Sequence, residues 1–138
     1  MLCGSELDLT TRMRDLKWNE LDVVECLGAL AVFDEDDAVY RFRVERDGLA
    51  LELDICAYDS SIEIGLYKLG SPVPLFDTSF FVRGEIRHIN EKNLSWLEFS
   101  DCIIAPITFD SESFEPQSAK SYVRFEIQML PNFRLRYL

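Results

Sequence analysis

Cationic side chains are scarce in this chain: 14 Lys and Arg stand against 25 Asp and Glu, a formal net charge of −11 over 138 residues. Binding to nucleic acid or to an anionic membrane rests on clustered Lys and Arg, so neither ligand is expected. Histidine is nearly absent. The single one, His88, has no evident third partner, and no Gly-x-Ser-x-Gly elbow occurs, so triad chemistry is poorly supplied. The six glycines never cluster, which removes the Gly-rich phosphate cradles. Four cysteines, Cys3, Cys26, Cys56 and Cys102, lie far apart without a Cys-x-x-Cys unit. A zinc site is therefore not expected, and the thiols are read as reduced, in a cytoplasmic setting. No segment approaches the roughly 20 apolar residues of a membrane span, and the first residues carry acid from Glu6 onward with no apolar run of signal length. No cofactor is implied.

What is present is a chain with 48% hydrophobic residues, long enough to bury a core as one domain over residues 1–138 without metals or disulfides. Its acidity is uneven. Residues 1–66 carry a net charge of −10 and residues 67–138 a net charge of −1.

The most informative stretch is residues 39–68, which reads as three antiparallel strands. Asp47-Gly48 is a strong two-residue hairpin signal, because a type I′ turn needs positive φ at both central positions. That loop sets Val44 against Leu51, Phe42 against Leu53 and Tyr40 against Ile55 on an apolar face. On the other face, Arg43 falls opposite Glu52 and Arg41 opposite Asp54. A second turn over Tyr58-Asp59-Ser60-Ser61 pairs Ala57 with Ile62, Ile55 with Ile64 and Leu53 with Leu66, continuing the apolar face. Burying one large aliphatic side chain is worth about 1.5–3 kcal/mol, against about 0.2–1 kcal/mol for an outward charge pair. The apolar face sets the register.

Upstream, residues 1–17 have no clean period and read as an irregular arm or short helix. Residues 18–28 read as a helix, with Asn19 as N-cap, Asp22 near the positive end of the dipole, a Trp18–Val23 staple, and Gly28 as the stop. Leu21, Val24 and Leu27 are its expected apolar stripe. Residues 29–33 form a first strand or its approach, ending in the acidic run Asp34-Glu35-Asp36-Asp37, an exposed loop. That run lacks the spacing of a calcium helix-loop-helix.

Downstream, Pro72 and Pro74 mark a connection, and a strand is expected from about Leu75 with Phe76, Thr78, Phe80 and Val82 alternating. A short strand over residues 85–89 and another over residues 94–99 follow. Residues 102–109 are apolar but broken by Pro106, the composition of an edge or bent strand. Residues 110–120 have the composition of the longest loop, a candidate binding loop. Val123, Phe125, Ile127 and Met129 alternate in a clear strand, and a closing strand over residues 132–138 carries Arg134 and Arg136, which would guard a sheet edge. The fold class is mainly β (α+β): an antiparallel β-sandwich or strongly curved antiparallel sheet with one N-terminal helix packed on it, with an open barrel as the rival.

For function, Glu52, Asp54 and Glu63 project from one sheet face that also carries Tyr58 and Tyr67, with Asp34, Glu35, Asp36 and Asp37 near its edge. Aromatic and acidic residues intermixed on an exposed face suit a basic protein partner. The resulting expectation is a non-catalytic, acidic protein-interaction module, an immunity-like inhibitor or regulator by analogy of size and charge. Two alternatives stand beside it. One is a ligand-binding β-sandwich with calcium or a carbohydrate held by the loops at residues 34–37 or 110–115. The other is an acid–base hydrolase using the paired carboxylates. Oligomeric state is left open.

Overall fold

The structure, a computed structural model, describes residues 16–104, 108–109, 116–117, 123–130 and 133–138. The arm over residues 1–15, and all of the 110–120 loop except residues 116–117, lie outside the described residues.

Helix α1 spans Glu20–Leu27, capped as the sequence predicts: the Asn19 side chain accepts from Leu21 N, and Gly28 sits in the left-handed region with its N–H on Val24 O. Its buried face differs from the expected stripe. Val23, Cys26 and Leu27 face the core, whereas Leu21 is exposed. The helix rests on the strands over residues 86–91 and 94–104; of the expected stripe Leu27 is buried and Val24 packs partly buried against the core, while Cys26, small and tolerant of burial, is buried where Leu21 is not.

Eleven strands follow among the described residues: β1 (Val32–Asp34), β2 (Val39–Arg46), β3 (Leu49–Cys56), β4 (Ser61–Lys68), β5 (Pro74–Val82), β6 (Ile86–Glu91), β7 (Leu94–Ile104), β8 (Thr108–Phe109), β9 (Pro116–Gln117), β10 (Val123–Leu130) and β11 (Arg134–Tyr137). Nine form one antiparallel sheet in the order β1-β2-β3-β4-β5-β7-β10-β11, with β6 also on β7; β8 and β9 pair separately. Of the apolar run at residues 102–109, residues 105–107 lie outside the described residues, and the two described parts belong to different sheets. Residues 102–104 end β7, and Thr108–Phe109 pairs with Pro116–Gln117 inside the segment read as loop.

The first hairpin has the predicted register throughout, from Arg46↔Leu49 to Tyr40↔Ile55, with Asp47 at φ 55 and Gly48 at φ 78. The second is offset by two residues: Ile55 faces Ile62, Leu53 faces Ile64 and Leu51 faces Leu66. Its loop is residues 57–60, one residue earlier than predicted, because the Asp59 carboxylate accepts from Ser61 N at 3.0 Å and Ser60 takes the left-handed conformation at φ 63. Moving a hairpin loop by one residue shifts the register by two, which preserves the face. The apolar set stays buried.

β7 organises the second half. Its first part pairs with β6 on one side and β10 on the other, and Cys102–Ile104 pairs with β5 on the β6 side. A kink at Asp101, φ 52, separates the two parts. There Gly84 lies against Ser100, and a Cβ on it would stand 2.1 Å from Ser100 Oγ and 2.8 Å from Ser100 O. Only glycine fits that approach.

The sheet curls strongly around one core. The Arg46 guanidinium on β2 donates to Met129 O on β10, and Thr78 on β5 hydrogen-bonds the Tyr137 hydroxyl on β11. Phe80, Phe99 and Phe125 pack edge-on or tilted at the centre with Leu51, Leu53, Ile55, Ile62, Ile64, Leu97 and Ile127, all buried. The sheet does not close: among the described residues, nothing pairs with the outer edge of β1 or of β11. Residues 16–19, just before the helix, form a strap. Ile86 N donates to Lys17 O, and Leu16 N to Ala57 O, so Leu16 covers one end of the core. Among the described residues, no helix is long and apolar enough to cross a membrane.

Candidate functional site

Strand alternation aims Glu52 and Asp54 of β3, Glu63, Gly65 and Tyr67 of β4, and Asp77 and Ser79 of β5 away from the core. The registers Asp54↔Glu63, Glu52↔Gly65, Gly65↔Asp77 and Glu63↔Ser79 bring them together. They line an open groove of about 370 Å³. Gly65 forms its floor with Tyr67 laid across it, since a Cβ at 65 would stand 2.9 Å from the Tyr67 ring.

Four carboxylates share this groove, and Arg43 holds one of them, reaching Glu52 at 2.5 Å and Glu45 at 3.1 Å. The expected Arg41–Asp54 pair is correct in register but not in contact. Arg41 turns to its other flank and meets Asp34 and Asp37 at 3.6 Å each. Two carboxylates in the β1–β2 hairpin outcompete one across the ladder, and the Arg41 Nε is left buried without a hydrogen-bond partner among the described residues. Among the described residues, no cation lies within ion-pair distance of Asp54, Glu63 or Asp77. Burial pushes the Asp54 carboxyl above its ordinary value; Arg41 opposes the shift, and Glu63 and Glu52 add to it.

Of the residues singled out from the sequence, Glu52, Asp54, Glu63 and Tyr67 converge here. Tyr58 does not: it sits in the β3–β4 turn, outside the groove lining. The acidic run forms the tip of the β1–β2 hairpin, where Asp34 Oδ1 accepts from the backbone N of Asp36 at 3.0 Å and of Asp37 at 3.3 Å. Glu35 and Asp36 project into solvent. Asp77 was missed by sequence reasoning, although the alternation of Phe76, Thr78, Phe80 and Val82 already placed it outward. Among the described residues, no three His, Cys, Asp or Glu side chains converge as metal ligands.

Elsewhere, His88 Nε2 lies 2.9 Å from Ser95 Oγ, and Cys26 Sγ lies 3.9 Å from the same oxygen. Burial raises the Cys26 thiol to about 11, so it remains protonated and can donate. This chain of contacts ties β6, β7 and α1 together. Burial likewise holds the Cys102 thiol up at about 12.

No family model matches the chain, and no curated protein matches it. Among solved structures, a chain of a contact-dependent growth inhibition toxin–immunity protein complex from Klebsiella pneumoniae 342 aligns with a TM-score of 0.65. The alignment covers 89% of this chain and 96% of that one, at 10% sequence identity. At that identity the likeness is one of fold.

Proposed function

We propose that this chain is a non-catalytic, immunity-like interaction module that binds a basic polypeptide through the β3–β5 groove. The observation that carries the reading is the concentration of Glu52, Asp54, Glu63 and Asp77 on one open face, with a single arginine engaged on Glu52. A protein accumulates like charges opposite each other at a cost to its own stability, and a cationic partner recovers that cost on binding. Tyr67 supplies compact aromatic contact area beside the charges. The fold shared with a chain of a toxin–immunity complex supports the same reading, as does the confinement of net charge to the first half of the sequence. The corresponding setting is the cytoplasm.

The test is capture from a lysate of the source organism by the wild-type chain and by a Glu63→Lys/Asp77→Lys variant, at about 0.1 M and about 1 M salt, between which the Debye length falls from about 10 Å to about 3 Å. The expected result is a basic polypeptide held by the wild type at low salt and lost both at high salt and by the variant. Expression of that polypeptide alone should arrest growth, and co-expression with this chain should restore it. Capture that is indifferent to salt and to the substitutions overturns the reading.

A second reading, an acid–base hydrolase, has one observation in its favour: burial raises the Asp54 carboxyl above its ordinary value in an open groove that also holds Glu52, Glu63 and Asp77. Its measurement is turnover of chromogenic glycosides by the wild type and by Asp54→Asn. An equal rate in both removes it.

A further inference from the structure

The two edges of the main sheet, each without a strand partner among the described residues, are built differently. β11 presents Arg134 and Arg136, both exposed, the usual protection against strand addition. β1 presents none. Leu30 just before it is 79% exposed, Val32 69% and Phe33 43%, and no Lys or Arg occurs from residue 18 to residue 40. Instead the edge runs directly into Asp34, Glu35, Asp36 and Asp37. Phe33 is held in place, its ring 4.7 Å from Tyr40, which in turn stands 5.0 Å from Trp18. Val32, opposite Arg41 in the ladder, projects to the opposite face.

The geometry points to the outer edge of β1, residues 30–34, as a docking edge for an extended segment of a basic polypeptide in which apolar and Lys or Arg side chains alternate. The inference rests on the interaction reading above and adds a second surface to it. Main-chain groups of the edge, without a ladder partner among the described residues, supply the ladder; Phe33 takes the apolar side chains on one face, and on the other the stems of the cations lie along Val32 and reach Asp34 and the hairpin tip. Charge decides which edge is used and by what. A basic segment is repelled at the exposed Arg134 and attracted at Asp34–Asp37, while a second copy of this chain, itself carrying −11, is disfavoured.

The experiment is hydrogen exchange on the intact chain, alone and with a blocked peptide of alternating lysine and valine, using a glutamate–valine peptide as control. The lysine peptide is expected to slow exchange at residues 30–34 several-fold while leaving β11 unchanged, and the control is expected to do nothing. A Leu30→Lys/Val32→Lys variant, changed only at exposed positions, should keep the wild-type melting temperature and lose the protection. Absence of protection, equal protection by both peptides, or protection without peptide that grows with protein concentration each overturns the inference, the last by showing a second copy on the edge. If the capture experiment finds no basic partner, the interaction reading itself has failed. If it finds one while residues 30–34 stay unprotected by the peptide, only the edge is lost.

Discussion

On the outer face of β3 and β4, Asp54 stands directly across from Glu63; on the outer face of β7 and β10, Glu98 stands directly across from Glu126. The register is the same and the treatment opposite. Glu98 and Glu126 are 6% and 3% exposed, and three guanidinium groups cover them. Arg87 reaches Glu98 at 2.5 Å, Arg136 reaches Glu126 at 2.8 Å, and Arg124 lies between, 3.6 Å from one and 3.3 Å from the other. In the ladder these residues form a row across four strands, Arg87–Glu98–Glu126–Arg136. The covered like-charged pair receives counter-ions from β6 and β11 on either side and from β10 itself. The groove pair received none, because the strand that could have supplied one sends Arg41 elsewhere.

The largest expected effect comes from taking the covered pair toward the state of the uncovered one. Arg124→Ala/Arg136→Ala leaves Glu126 buried beside Glu98 with no guanidinium of its own. The loss is expected to be about 2–4 kcal/mol, below the figure for a fully buried pair because the arginines are about half exposed. For a chain of this size that corresponds to a melting temperature lower by about 6–13 °C. Glu63→Ala, by contrast, should leave stability unchanged within about 0.5 kcal/mol or raise it, as it removes a repulsion. Equal and small effects at both places would end the distinction between a structural and a binding pair.

Sequence reasoning recovered one of these regions and overlooked the other, for a physical reason. The groove lies in consecutive hairpins, where a turn such as Asp47-Gly48 fixes the register and hence which side chains share a face. Even the two-residue error at the second turn left Glu63 on the correct side, because the side-chain period is two. Glu98 and Glu126 belong to β7 and β10, which are joined through residues 105–122 rather than by a short turn that sets the register, so their meeting is a consequence of topology alone. Alternation with Phe125 and Ile127 places Glu126 on the face away from the core, without showing that it is buried there. It is covered by Arg124 of its own strand and by Arg136 of β11, and the second contact is one that no local pattern shows. Leu21 and Tyr58 failed similarly: each had suitable chemistry locally, and the packing placed other residues in the core and in the groove.

Asp54 offers a sharper version of the comparison through pH. Its carboxyl is raised above 3.8 in the folded chain, mainly by burial, so the native state holds this proton more tightly than the unfolded state does. Stability from this group therefore falls as pH rises through the interval between 3.8 and the raised value, and the ionised carboxylate is a constant cost above it. Asp54→Asn removes that cost. The variant should melt above the wild type at about pH 7, with the difference shrinking as the pH approaches about 4. Thermal unfolding of both proteins across that range isolates the one group, since every other titration is common to the two. A difference independent of pH would mean that Asp54 is not held against its own ionisation.

The smallest expected effect is at the groove floor. Gly65→Ala adds a Cβ 2.9 Å from the Tyr67 ring, a contact that something must relieve. The obstacle is the end of a side chain rather than backbone, so the ring can swing outward at little cost, while alanine recovers roughly 0.5–1 kcal/mol that glycine loses within a strand. The two terms nearly cancel, and the melting temperature should move by no more than about 3 °C in either direction. Partner binding should change more than stability does, because the displaced ring no longer lies between Glu63 and Asp77 and the floor where a cationic side chain would rest. Tyr67 fluorescence is partly masked by two tryptophans, so the ring is better followed by its aromatic NMR resonances. A Tyr67 resonance unmoved by the substitution would show that the floor yields through the backbone, and the groove would then owe its shape to the curl of β4 and β5 rather than to the tyrosine.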